Sequence, residues 1–175
     1  MKSKRPIVYR ACKMTGRYQD ELRMESEQII RMLNNYGFKV LDPVEIEQVP
    51  YVHELLEQTD DSKLERYWKR DKECLQECHI ILDDRSCNKS DGVGVELGIS
   101  RFAYWKPVIR IFPKAGICIS KLEYDMVFET REEAVMYMAE HFGNKRQILL
   151  WRLKMLNRSL LGFIGLQIKF IKDLL

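Results

Sequence analysis

The chain has 175 residues, of which 46% are hydrophobic and 31% charged, a composition typical of a soluble globular protein with one domain. The net charge of +3 is uneven, because residues 144–175 carry seven basic side chains and one acidic side chain. That segment has a charge of +6, which leaves −3 on residues 1–143. The body of the protein is therefore not expected to bind nucleic acid non-specifically.

The five cysteines have no disulfide-framework spacing, and the N-terminal sequence MKSKRPIVYR does not resemble a signal peptide. Both features predict a cytoplasmic protein with reduced thiols. Cys74, Cys78 and His79 lie close together, but no second ligand pair follows at the spacing of a zinc site. We interpret the two cysteines as small buried hydrophobic residues, and the sequence predicts neither a metal nor a cofactor.

The first half of the chain alternates between strand and helix patterns. Ile7–Arg10 is short, apolar and β-branched, which predicts a strand. Helical periodicity follows over residues 19–36, with Gly37 placed to end the helix. Phe38–Leu41 predicts a second strand, and Pro43–Thr59 predicts a loop that contains a short helix.

The second half continues the alternation. A helix is predicted over residues 62–77, a strand over His79–Leu82, a helix from Val93 to Tyr104, and a strand over Pro107–Phe112. This order predicts an α/β fold of the Rossmann or flavodoxin-like kind, with four to five parallel strands and helices on both faces. Ligands of such sheets bind beyond the carboxyl ends of the strands, where the strand order reverses.

A polar loop after the third predicted strand carries the strongest local motif, SDGVGVELG. Gly92 and Gly94 would let the backbone approach a ligand closely, and Glu96 falls in the first turn of the following helix. Unpaired amides at a helix N-terminus would bind an anion or keep Glu96 ionised. Alternatively, the glycines form a tight turn and Glu96 is an ordinary acidic residue at a helix start. The loop alone does not decide between the two.

Four segments in order, IVYRACKMTGR, RDKECLQECHIIL, SDGVGVELGIS and FAYWKPVI, change this balance. Together they resemble the nucleoside 2-deoxyribosyltransferase family and the related deoxynucleoside 5′-monophosphate N-glycosidases. The resemblance covers about residues 6–113. It implies an enzyme that cleaves or transfers the N-glycosidic bond of a nucleoside, with no cofactor.

The resemblance also implies roles for individual residues. Glu96 would attack the anomeric carbon and form a glycosyl ester, and Asp71 would orient the sugar and donate a proton to the leaving base. Tyr9 would hydrogen-bond near Glu96. Ser90 matches a position that contacts the 5′-phosphate in the monophosphate glycosidases, and Arg17 matches a phosphate-binding arginine loosely.

Departures from the family pattern bear on the substrate. Lys13 stands where relatives usually have small residues, so we expect it to alter the pocket. Asp91, beside Ser90, adds a negative charge that would oppose a phosphate, which favours a nucleoside over a monophosphate. Asp83 and Asp84 at the end of the third strand would contact the sugar or base, or make turns and caps, and the second role is favoured.

Several alternatives stay open. The choice between transferase and hydrolase is not settled, and a catalytically silent nucleotide-binding or interaction module is an alternative that retention of Tyr9, Asp71 and Glu96 disfavours. Residues 144–175 predict one basic amphipathic helix that packs on the body (residues 1–143), pairs with another subunit or lies on an acidic membrane surface. Because related enzymes are oligomers, subunit contact is favoured over membrane contact. Ser159–Ile168, the longest uncharged stretch, is too short to span a bilayer.

Overall fold

The computed structural model describes residues 5–57, 60–84, 91–111 and 126–157. Their strands form one sheet in which every neighbouring pair is parallel, in the order β2-β1-β3-β4-β5. This flavodoxin-like order confirms the predicted α/β class. The strands are β1 (Ile7–Ala11), β2 (Lys39–Leu41), β3 (Ile80–Asp83), β4 (Val108–Ile111) and β5 (Met126–Phe128).

Helices lie between consecutive strands from β1 to β4 and cover both faces of the sheet. They are α1 (Gln19–Asn35), α2 (Pro43–Ile46), α3 (Asp61–Glu77), α4 (Asp91–Gly98) and α5 (Arg131–Phe142). A π-helical turn, Ile99–Ala103, extends α4, and residues 145–157 form a further helix, α6. As predicted, α1 ends before Gly37, whose φ of 85° is a conformation that side chains with a Cβ rarely adopt.

The core has two layers because successive side chains of a strand point to opposite faces. Val8, Leu82 and Ile109 pack on one face against α1 and α5. Tyr9 and Ile81 pack on the other face against α3 and α4. The alternation along β1 therefore sends Tyr9 and Arg10 to opposite sides of the sheet, a separation on which the functional site depends.

Cys74 and Cys78 lie in the second of these layers, as small buried side chains. Burial raises the pKa of each thiol to about 11. The buried Lys106 ammonium donates hydrogen bonds to the carbonyl oxygens of Leu75, Gln76 and Cys78. It thereby satisfies carbonyl groups at the C-terminal end of α3 and ties that end to the segment that leads into β4.

The sequence analysis did not place β5 or α5. The helix carries a recognisable start signal, because the Thr130 side chain accepts from the Glu133 amide while the Glu133 carboxylate accepts from the Thr130 amide. This reciprocal pair is a capping box. Strand β5 has only three residues, two of them exposed, and so lacks the continuous apolar pattern of β1, β3 and β4.

The predicted C-terminal helix is described in part. Residues 145–157 are helical, whereas residues 158–175 of that prediction lie outside the described residues. Ile148 is buried in the layer formed by α1 and α5, and Trp151 packs against the same layer. Part of α6 therefore packs on the body, as one of the three interpretations expected. Among the described residues, no helix is both long and apolar enough to cross a membrane.

Candidate active site

A cavity of about 310 Å³ lies at the carboxyl end of β1, next to the point where the strand order reverses between β1 and β3. Tyr9 from β1, Asp71 from α3 and Glu96 from α4 all line it. The structure thus brings together three residues that are separated by up to 87 positions in the chain. The rest of the lining comes mainly from the loops after β1 and β2: Cys12, Met14, Thr15, Pro43, Glu47, Val49, Pro50, Leu56, Glu57, Tyr67, Gly92 and Val93.

Tyr9 is a hydrogen-bond donor held in the cavity wall. Its side chain is 1% exposed, and its hydroxyl donates to Asp71 Oδ1 at 3.4 Å, near the upper limit for such a bond. Burial, with the nearby carboxylates of Glu96 and Asp71, raises the pKa of Tyr9 well above 10. Tyr9 therefore keeps its proton at neutral pH and supplies a fixed hydrogen-bond donor to Asp71.

Asp71 is the residue of this group best suited to carry a proton. Burial in the cavity wall raises the pKa of its carboxyl group to about 6, and the negative charge of Glu47 contributes to the increase. The hydrogen bond from Tyr9 acts in the opposite direction. A carboxyl group with a pKa near 6 is protonated often enough near neutral pH to act as a general acid.

Glu96 occupies a different helical position from the one predicted. Helix α4 begins at Asp91, so Glu96 is its sixth residue and lies in the second turn rather than the first. The favourable effect of the helix N-terminus weakens beyond the first turn, so it contributes less to Glu96 than the sequence suggested. Glu96 is instead placed by packing: Val93 and Leu97 are buried and fix α4 on the sheet, and Glu96 beside them is 9% exposed.

The two glycines of the motif lie inside α4, which corrects the interpretation that they form a tight turn. Neither makes a tight turn, because both are helical residues, and neither has a positive φ. A Cβ built on Gly92 or Gly94 would have no other heavy atom within 4 Å. Gly92 lines the cavity, so the absence of a side chain there leaves open volume in front of the first turn.

Two predicted substrate-binding residues have other partners in the structure. Arg17 makes two hydrogen bonds to the Glu25 carboxylate, at 2.8 and 3.0 Å. Asp83 is fully buried in an ion pair with Arg110, at 3.0 Å. Neither side chain, nor that of Lys13, is among the described residues that line the cavity. Ser90 and the side chain of Asp91 lie outside the part of the chain that the structure describes.

Asp83 and Asp84, for which a turn-and-cap role was favoured, both form buried ion pairs. Asp84 accepts from Arg10 Nε at 2.8 Å and from both Arg131 Nε and Nη2 at 3.1 Å. A buried carboxylate is stable only when cations or donors compensate for its lost hydration. The arginines that supply this compensation come from distant strands and helices.

Arg10 is the centre of this cluster, which we call the Arg10 network: Arg10, Arg17, Glu25, Asp42, Asp84 and Arg131. The Arg10 guanidinium is fully buried and pairs with Asp84, with Asp42 at 3.0 Å and with Glu25 at 3.5 Å. Burial alone would lower the pKa of Arg10, but the surrounding acidic groups raise it above its usual value. With three cations and three carboxylates, the network is balanced on the face of the sheet opposite Tyr9.

Sequence reasoning missed Glu47, Glu57 and Tyr67, which also line the cavity. Glu47 follows α2 and forms an ion pair of 2.8 Å with Arg70, the residue before Asp71. The only signal in the sequence was its position in the loop region after β2, where parallel sheets bind ligands. Together with Asp71 and Glu96, these residues give the cavity four carboxyl groups, and its described lining contains no lysine or arginine.

Comparison with solved structures identifies the same fold in several proteins, two of which are described here. One is a 2-deoxyribosyltransferase from the psychrotolerant bacterium Bacillus psychrosaccharolyticus, with a TM-score of 0.54 and 23% identity over 73% of this chain and 88% of that chain. The other is a conserved protein from Enterococcus faecalis V583, with a TM-score of 0.50 and 14% identity over 77% of this chain and 98% of that one. At these identities the comparison shows a shared fold.

No protein-family model matches this sequence, and no curated protein matches it. The class that can be stated is therefore that of an α/β protein with the fold of a 2-deoxyribosyltransferase.

Proposed function

We propose that this protein cleaves or transfers the N-glycosidic bond of a deoxynucleoside through a covalent intermediate on Glu96. The observation that carries the proposal is the convergence of Tyr9, Asp71 and Glu96 on one cavity at the carboxyl end of β1. Its fold-level similarity to a 2-deoxyribosyltransferase supports the same conclusion. A silent binding module has no need of a carboxyl group with a raised pKa beside a second acid in its cavity.

In the proposed first step, the Glu96 carboxylate attacks the anomeric carbon as the carbon–nitrogen bond to the base breaks. The base leaves with the bonding electron pair and takes the proton of Asp71. Positive charge develops on the sugar in this transition state, and a carboxylate beside it both stabilises the charge and traps the sugar as an ester. Tyr9 keeps the Asp71 carboxyl group in place by donating a hydrogen bond to it.

In the second step, an incoming nucleophile attacks the anomeric carbon and displaces Glu96 as a free carboxylate. Asp71, now ionised, accepts the proton of the nucleophile and returns to its starting state. A second nucleobase as nucleophile gives a new nucleoside, whereas water gives the free sugar. The reaction therefore proceeds with retention in either case, and the nucleophile decides between transferase and hydrolase.

The charge of the cavity supports an uncharged substrate. Its described lining offers no cationic side chain to pair with a 5′-phosphate, and the Glu96 carboxylate that attacks the sugar would repel one. Arg17, the described arginine that the sequence associated with phosphate, is bound to Glu25. A deoxynucleoside is therefore favoured over a deoxynucleoside 5′-monophosphate, which is the alternative substrate.

The test is a substrate panel of deoxynucleosides and their 5′-monophosphates, each with and without a second free base, with released base and exchanged nucleoside measured by chromatography. Glu96→Gln keeps the shape of the side chain and should lower kcat/KM by roughly a thousandfold or more. Val95→Ala, at the exposed neighbouring position of α4, is the matched control and should retain activity. A glycosyl adduct on a Glu96 peptide, detected by mass spectrometry, would identify the nucleophile.

Each outcome is informative. Full activity of Glu96→Gln would show that the mechanism is wrong. Faster turnover of the monophosphates than of the nucleosides would reverse the substrate assignment. Binding without release of base from any member of the panel would favour the silent module.

A further inference from the structure

Helix α6 is apolar on the side that faces away from the body as well as on the side that packs against it. Ile148 is 2% exposed and packs in the core, whereas Leu149, Leu150, Leu153 and Leu156 are between 48% and 56% exposed. Leu149, Leu153 and Leu156 are four and three residues apart, so they form one stripe along the helix, with Leu150 beside it. We call these four residues the leucine face.

Basic residues accompany the leucine face without acidic neighbours on the same helix. Residues 145–157 contain Lys145, Arg146, Arg152 and Lys154 and no aspartate or glutamate. Arg146 and Lys154 are exposed. The sequence of residues 158–175 adds three basic residues and one acidic residue, which gives the whole segment 144–175 its charge of +6. A partner for this surface must offer both apolar area and negative charge.

We propose that the leucine face docks α6 on the surface of an anionic lipid bilayer, with the helix lying along the membrane. An anionic bilayer supplies acyl chains for the leucines and acidic headgroups for the lysines and arginines. Nucleic acid would satisfy the basic residues but leave the leucines exposed to water. The helix lies on the membrane rather than across it, because residues 145–157 carry four basic side chains that would be costly in the apolar interior of a bilayer.

Charge also argues against a second copy of α6 as the occupant. A two-fold contact places the same patch of each subunit against itself. Pairing two leucine faces would therefore bring two segments of like charge together, without acidic residues in residues 145–157 to compensate. An anionic bilayer reverses the sign of this interaction and makes it attractive.

The experiment is co-sedimentation of the full-length protein with vesicles of phosphatidylcholine alone or of phosphatidylcholine mixed with phosphatidylglycerol. The parent should bind only the mixed vesicles, and its binding should weaken as salt increases. Arg146→Gln with Lys154→Gln should lower the partition coefficient about 30-fold, because each basic residue near the surface contributes roughly a factor of five. Leu153→Ser with Leu156→Ser should lower it more than tenfold.

Two matched controls change the same amount of charge or exposed apolar area elsewhere. Lys63→Gln with Lys69→Gln removes two exposed positive charges from α3, and Met24→Ser with Met136→Ser removes two exposed apolar side chains from α1 and α5. Both controls should bind mixed vesicles as the parent does. Circular dichroism and urea unfolding of every variant establish that a loss of binding is not a loss of folding.

The proposal is overturned if the parent binds neither kind of vesicle, or binds both equally. It is also overturned if the two leucine substitutions leave vesicle binding intact. If the parent does not bind vesicles and the leucine substitutions lower the mass measured by light scattering, the leucine face is a subunit contact instead. None of these results depends on Glu96 or on the substrate panel, so this proposal and the proposed function fail independently.

Discussion

Replacing Asp71 by asparagine should make the protein more stable and inactive at the same time. Ionised Asp71 is unfavourable in the folded protein, because burial and Glu47 raise its pKa from 3.8 to about 6. Asparagine has nearly the same shape, keeps an oxygen that accepts from Tyr9, and carries no charge to desolvate. The substitution removes a cost that the cavity imposes on folding.

The expected gain in stability follows from the shift in the pKa of Asp71. A difference of about two pKa units corresponds to about 3 kcal/mol of folding free energy, which is an upper value for a side chain that retains some exposure. The pKa of Asp71 is higher in the folded protein than in the unfolded chain. The stabilising contribution of protonated Asp71 is therefore complete below about pH 4 and is lost as the pH rises through about 6. Asp71→Asn should therefore equal the parent near pH 4 and exceed it by about 2–3 kcal/mol at pH 8.

Urea unfolding of both proteins at several pH values between 4 and 8 measures this difference directly. Glu73→Gln removes a carboxyl group from an exposed position of the same helix and serves as the matched control. The reasoning is refuted if Asp71→Asn is less stable than the parent at pH 8. A gain in stability that is the same at every pH would refute the assignment of the effect to ionisation.

Three further predictions concern Asp71, Arg10 and Cys12. If Asp71 is the general acid, kcat/KM should fall as the pH rises above about 6. Glu47→Gln should move this fall to lower pH, because it removes a negative charge that raises the pKa of Asp71. Activity that instead increases through pH 6 would assign Asp71 to an ionised, orienting role. Arg10→Met should lower the free energy of unfolding by about 3–5 kcal/mol, because it leaves two buried carboxylates without their central cation. Urea unfolding measures this loss, and Arg31→Met on the exposed side of α1 is the control. Cys12 should react with iodoacetamide far more slowly at pH 7.5 than a free thiol, because burial raises its pKa to about 12; rapid labelling of the folded protein at this position would contradict its placement.

The parts of the fold that were predicted correctly depend on local patterns. The β1, β3 and β4 segments are short buried apolar runs, and α1 combines helical periodicity with a glycine at its end. Strand β5 was not predicted, because three residues, two of them exposed, carry too little of a hydrophobic pattern. Helix α5 has a start signal of its own in the TREE segment that begins at Thr130.

The site was predictable only as far as the motifs extended. Tyr9, Asp71 and Glu96 were selected by resemblance, whereas Glu47 belongs to no pattern and enters the cavity through the position of the loop after α2. The pairing of Asp83 and Asp84 was not predictable because their partners are 27 to 74 residues away in the sequence. Which arginine meets which carboxylate is decided by strand order, a property that local periodicity does not contain.

At the carboxyl end of β1, the two faces of the sheet have opposite effects on stability. On the cavity face, acidic side chains surround Tyr9, and their repulsion and desolvation work against folding. On the opposite face, the Arg10 network connects the end of β1 to the residues that follow β2 and β3 and to the start of α5. Because Tyr9 and Arg10 are consecutive in the strand, the balanced network holds in place the backbone that presents Tyr9 to Asp71. We therefore expect substitutions in the Arg10 network to change the position of Tyr9 in the cavity through the backbone of β1. Arg10 is the one member of the network that is next to Tyr9 in the sequence.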